Sequence, residues 1–214
     1  MVPSLSGLMR IALIALAAFS LCGHALAADL TVTVRDAAGR PVPDAVASFA
    51  PAGGVAPGAP IKFPWAMNMA QENLQFSPFV LIVPVGSDVT FPNHDNVRHH
   101  VYSFSPTKRF ELKLYGKEEA RTVKFDKVGT VALGCNIHDH MVGFLRIVGT
   151  PYAAKTDAAG HAVLKDVPVG GGTLTVWHPY LKAPDGETTR KLAAGAPAEQ
   201  DVVAELRTIT AEHR

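Results

Sequence analysis

The chain has 214 residues, with 20 Lys and Arg set against 19 Asp and Glu, for a formal net charge of +1. That balance excludes the basic footprint of a nucleic-acid binder or of a protein held on an anionic membrane. Eighteen Gly and sixteen Pro among short Val- and Thr-rich runs point to an all-β chain.

Residues 1–27 have the three-part layout of a secretory signal peptide. Arg10 is the only charge, an apolar run follows over residues 11–22, and Ala25-Leu26-Ala27 supplies the small-residue pattern before Ala28. The run is too short for a transmembrane helix, and no later segment is apolar enough for a transmembrane anchor. Leu21 stands where lipid attachment at Cys22 would need a small residue. The expectation is a periplasmic protein that begins at Ala28, about 187 residues long. Export removes Cys22, so Cys135 is left with no partner for a disulfide within the chain. A free thiol in an oxidising compartment is a liability unless it is buried, paired between chains or bound to a metal.

Residues 30–51 alternate apolar and polar side chains, break at Asp36-Ala37-Ala38-Gly39 and resume, which predicts two strands joined by a turn. The stretch GGVAPGAP is a loop. Further strands are predicted near residues 79–83 and 88–91, with a turn at Gly86 between them, and then at HHVYSFS, FELKLY and ARTVKF. GTVALGC and MVGFLRIVG flank a tight connection. After Pro151 a second DAAG, at residues 157–160, again precedes a strand. TLTVW and DVVAEL close the series, and no amphipathic helix is evident after residue 27.

The connection GCNIHDHMVGF (residues 134–144) carries the chemistry. Cys135, His138 and Met141 follow one another at intervals of three. Thiolate, imidazole and thioether on one short loop suit copper. Upstream, FPNHDNVRHHVYSF offers His94, His99 and His100 as a further imidazole. Five of the eight histidines after residue 27 lie between positions 94 and 140. His99 and His100 are adjacent on a predicted strand, so they face opposite ways and cannot both reach one metal if the backbone is regular. Met67 and Met69 are expected to pack under a loop, and His161 and His178 to lie at the surface or in turns. There is no GxSxG, HExxH or Gly-rich phosphate loop, and the chain is not expected to be an enzyme.

VTFPNHDNVRHHVYSF followed by GTVALGCNIHDHMVGFLRIV resembles the two copper-ligand segments of cupredoxins of the plastocyanin and amicyanin kind. More closely, it is similar to cupredoxin-like proteins labelled methylamine utilisation proteins, whose recurring stretches look like FPNxDxxxHHVYSFS and GCNIHDxM. The resemblance implies one mononuclear type 1-like copper held by His99, Cys135, His138 and Met141. His99 is selected because Val101 follows it at the family's offset. The family's usual Asn after the upstream ligand is His100 here. His100, His94, His140, Asn93 and Asn136 are candidates for alternative ligands or for groups that brace the ligands from behind.

The outer segments VTVRDAAGRPVPDAVASF and TDAAGHAVLKDVPVGGGTLTVWHP resemble a carboxypeptidase-regulatory-like, transthyretin-like β-sandwich. The two resemblances together imply an all-β fold. A cupredoxin Greek-key β-sandwich would span residues 60–149. A second, smaller β-sandwich would be built from residues 28–56 and 150–206, with 207–214 a flexible tail. The implied function is periplasmic single-electron transfer with a redox protein partner and no nucleic acid. The alternatives are copper handling, with His94, His100 and His140 as transfer ligands, and a non-catalytic carbohydrate- or protein-binding module.

Overall fold

The computed structural model describes residues 27–56, 58 and 60–208, so residues 1–26 of the expected signal peptide and residues 209–214 of the expected tail lie outside it. Among the described residues no helix is long and apolar enough to cross a membrane. The strands, in chain order, are β1 (Ala27–Arg35), β2 (Val46–Pro51), β3 (Ala70–Glu72), β4 (Gln75–Ser77), β5 (Val80–Pro84), β6 (Ser87–Pro92), β7 (His99–Ser105) and β8 (Lys108–Tyr115). They continue with β9 (Ala120–Phe125), β10 (Gly129–Cys135), β11 (His138–Val148), β12 (Ala153–Lys155), β13 (His161–Pro168), β14 (Gly172–Trp177), β15 (Glu187–Leu192) and β16 (Glu199–Val203). The one helical turn among the described residues is the 3-10 segment Pro184–Gly186. The fold is all-β, as the alternation predicts.

The central sheet has the order β5-β11-β10-β7-β8, and its inner face meets the β6-β9 pair and the β3-β4 hairpin. Period-two alternation decides what enters this core. Val131, Leu133 and Cys135 point inward from β10, His99 and Val101 from β7, and Met141, Leu145 and Ile147 from β11. β5 (VLIVP) is buried on both faces, as a strand paired in parallel and covered on each side should be.

The outer segments pair with each other. β1 runs antiparallel to β13 and parallel to β16, and β12-β2-β14-β15 forms a facing sheet. Leu30, Val32, Phe49, Leu164 and Leu174 help to fill the core between those two sheets. A third apolar cluster, with Val46, Ile82, Val148 and Trp177 among its members, seals this sandwich against the outer face of β5 and β11. The turn expected between β1 and β2 is present, yet the two strands enter different sheets instead of pairing.

The echoed DAAG is one piece of turn chemistry used twice. Asp36 Oδ1 accepts the N–H groups of Ala38 and Arg40, each at 2.9 Å, and Asp157 Oδ1 accepts those of Ala159 and His161, each at 2.9 Å. Gly160 takes φ of +79°, where a β-carbon would also strike the carbonyl oxygen of Val34.

Candidate metal centre

Three donor atoms converge at the end of the central sandwich. His99 Nδ1 lies 3.7 Å from Cys135 Sγ, and His138 Nδ1 lies 3.5 Å from the same sulfur. All three donors lie within 4.8 Å of one another. His99 is fully buried, Cys135 is 4 % exposed and His138 is half-buried. The two imidazoles meet edge to face, with centroids 4.9 Å apart. Met141 is buried in the same core cluster as Cys135.

Each donor is placed by local structure. Cys135 ends β10 on its inward face, where its Cα is paired with Val101 of β7 and with His138 of β11. The Asn136 N–H donates to the His100 carbonyl at 3.0 Å, which ties the cysteine loop to β7 through the backbone. In that way His100 supports the loop with its main chain. Its side chain faces away from the cluster, with Nε2 2.8 Å from Glu111 Oε1.

Of the other residues singled out in the sequence, His94 and His140 are exposed, and the cluster of metal-capable donors contains neither. Asn136 is exposed and takes part through its backbone. Asn93 is fully buried but braces the loop ahead of His99. Its Nδ2 donates to the carbonyls of Val97 (2.8 Å) and Tyr115 (3.1 Å), and its Oδ1 accepts the Asp95 N–H (2.9 Å). Met69 is fully buried in the core and Met67 packs against it. His161 is exposed, as expected. His178 is at a turn, its carbonyl accepting the Leu181 N–H at 3.0 Å, but it is buried there and not at the surface.

Asp95 had no place in the sequence reading, yet it touches the cluster. Its Oδ2 lies 2.8 Å from His99 Nε2. Partial burial opposes its ionisation, but hydrogen bonds from the Leu74 N–H, His99 and the Asn73 N–H outweigh that and hold its carboxyl below the usual carboxylate range. The available signal was an acid four residues before the histidine, which is weak because sequence does not say where a loop carboxylate points.

The donor set fits a copper ion. Two donors bound to one metal at roughly 2.0–2.3 Å and about 120° apart lie about 3.7 Å from each other, close to the two sulfur–nitrogen distances found. Thiolate with two imidazoles is the trigonal set of electron-transfer copper, and a thioether is its weak axial partner.

No family model matches the chain, and no curated protein matches it. Similar solved structures include a copper-containing nitrite reductase from Thermus scotoductus, at 28% identity and a TM-score of 0.37 over 44% of this chain and 25% of that one. A purple cupredoxin from Nitrosopumilus maritimus aligns at 22% identity and 0.35 over 38% of this chain and 98% of that one. The Cu(I) form of a methionine-to-alanine variant of amicyanin aligns at 25% identity and 0.36 over 49% and 99%. The chain spans a quarter of the reductase's length. Every one of these scores is below 0.5, so the reading of the site rests on its own donor atoms.

Proposed function

We propose that the protein is an exported copper-binding carrier of single electrons, in which His99, Cys135 and His138, with the Met141 thioether as a weaker donor, would hold one type 1-like copper. The observation that carries this reading is the pair of imidazole Nδ1 atoms at 3.7 and 3.5 Å from one buried thiol. A thiol meant as a nucleophile needs one imidazole and access to substrate. Cys135 faces two imidazoles and is 4 % exposed.

Copper bound there supplies a one-electron couple. The chain's own residues hold the donors in a preset arrangement on three strands, so little has to move between oxidation states. Burial of Cys135 and His99 excludes water from two of the donors. Half-buried His138 brings the site nearest to solvent, and exposed Ile137 beside it gives a redox protein an apolar foothold. The layout of residues 1–27 supports a periplasmic location. The pairing of β1 with β13 and β16 supports the reading that a cupredoxin-like sandwich interrupts a carboxypeptidase-regulatory-like one in sequence.

The test is Cu(II) titration of the protein lacking residues 1–27, followed by visible and electron paramagnetic resonance spectra. The wild type should develop an intense thiolate-to-copper band, and Cys135→Ser should lose it. His99→Ala should cripple copper binding, while His100→Ala should leave it nearly intact. If Cys135→Ser binds Cu(II) with unchanged spectrum and affinity, the electron-transfer reading fails and a histidine-only copper-handling site replaces it.

A further inference from the structure

The tip of the β3-β4 hairpin is unusual for its sequence. Asn73 (φ +56°) and Leu74 (φ +59°) both adopt the left-handed conformation. Type I′ hairpin turns require this backbone, but they normally recruit Asn-Gly, because a side chain such as leucine is strained there. Leu74 gains nothing by burial, being 49% exposed. The successive N–H groups of a turn can, however, converge on an anion and cradle it. The anion here is the carboxylate of Asp95. Asn73 N–H donates to Oδ1 at 2.7 Å, and Leu74 N–H donates to Oδ2 at 3.0 Å.

The same Oδ2 faces His99 Nε2 at 2.8 Å. Both Asp95 oxygens accept backbone N–H groups, so in the neutral ring the donor facing Oδ2 is the Nε2–H, and Nδ1 is left with its lone pair. That lone pair faces Cys135 Sγ. From the other side, buried Asn93 grips the Asp95 N–H and the Val97 carbonyl, which closes the loop around the carboxylate. Turn, carboxylate and imidazole thus form a continuous chain that ends at the cluster.

We propose that Asp95 is the positioning residue of His99 and that the Asn73–Leu74 turn is the seat that aims it. Resting on the copper reading above, the consequence is twofold. His99 is locked in the tautomer that ligates through Nδ1, and a full negative charge stands behind that ligand. Negative charge on a ligand favours Cu(II) over Cu(I), so Asp95 lowers the reduction potential and tightens Cu(II) binding.

The experiment compares wild type with Asp95→Asn, Asp95→Ala and Leu74→Gly, first metal-free and then copper-loaded. In the metal-free protein, imidazole nitrogen-15 shifts should show His99 as a single Nε2–H tautomer. They should show a mixture in Asp95→Ala. In the loaded protein both Asp95 variants should have a more positive reduction potential and Cu(II) affinity weakened roughly 10–100-fold. In Asp95→Asn an amide nitrogen in either oxygen's place meets an N–H donor, so one bond of the seat is lost without a change of size. That variant carries the test if Asp95→Ala does not fold. Leu74→Gly keeps the N–H and relieves the strain, so its potential should equal that of wild type. Wild-type tautomer and potential in both Asp95 variants would overturn the proposal, as would a Leu74→Gly potential shifted like theirs. A wild-type protein that fails to bind copper through Cys135 while its tautomers behave as described would instead overturn the copper reading and leave the positioning role in place.

Discussion

His178 is 6 % exposed, and its Nδ1 accepts the Tyr180 N–H at 3.2 Å. Burial disfavours the imidazolium and pushes its pKa down to about 4, although nearby Asp44 and the Pro43 backbone pull the other way. The unfolded chain takes up this proton near pH 6.5, whereas the folded chain refuses it until about pH 4. Between those values the unfolded state binds more protons, so stability falls as pH drops through the window and is unaffected by this group above it. A shift of this size corresponds to about 3 kcal/mol. Urea unfolding at pH 7 and pH 4.5 should show the loss in wild type. His178→Asn, whose Oδ1 can take the Tyr180 N–H, should lose less over the same interval. Equal losses in the two proteins would remove His178 as the cause. VWHPY carries no local sign of this burial, and the Pro43 backbone and Asp44 carboxylate that act on the ring are far away in sequence.

The β3-β4 hairpin was invisible in the sequence for a related reason. Its strands are three residues each, AQE and QFS, too short to show alternation, and its turn reads Asn-Leu instead of Asn-Gly. β15, ETTRKL, was missed because it is a polar edge strand. By contrast β7, β10 and β11 were legible, since each alternates over seven residues or more. They bear His99, Cys135, His138 and Met141. Three of those four side chains sit within seven residues of sequence, so local spacing alone exposed them. Asp95 lies in a loop whose direction is set by the hairpin and was hidden with it.

The hairpin also makes a testable demand on β11. A β-carbon on Gly143 would lie 2.7 Å from the Phe76 Cβ, and Phe76 is buried, so neither strand can yield cheaply. Gly143→Ala should destabilise the protein by about 1–3 kcal/mol. Because it displaces the hairpin that seats Asp95, hydrogen exchange at Asn73 and Leu74 should accelerate as well. A variant with wild-type stability and exchange would show that the hairpin has slack.

At the scale of the molecule, the two sandwiches are joined by more than apolar contact. Arg146 on β11 reaches Glu187 on β15 at 2.7 Å and Thr130 Oγ1 at 3.0 Å, with its guanidinium carbon 5.7 Å from the Trp177 ring. The Arg146 side chain is 8% exposed and that of Glu187 is 28% exposed. Glu187→Gln leaves a buried cation without its counter-charge. Loss of a fully buried partner costs 3–5 kcal/mol, and the partial exposure of Glu187 reduces this to about 2 kcal/mol. Denaturant unfolding should register that loss in a single transition reported alike by Trp177 fluorescence in a Trp65→Phe background and by copper-site signals, because the shared cluster around Val148 and Trp177 couples the sandwiches. Two separated transitions in wild type would show that each sandwich unfolds alone.

The measurement that bears most directly on the metal centre is copper K-edge X-ray absorption on Cu(II)-loaded protein. One sulfur and two nitrogens should appear at roughly 2.0–2.3 Å. The short sulfur shell should vanish in Cys135→Ser. A first shell of nitrogen and oxygen alone in the wild type would mean that copper does not bind Cys135, contradicting the assignment of the thiolate and two imidazoles as its ligands.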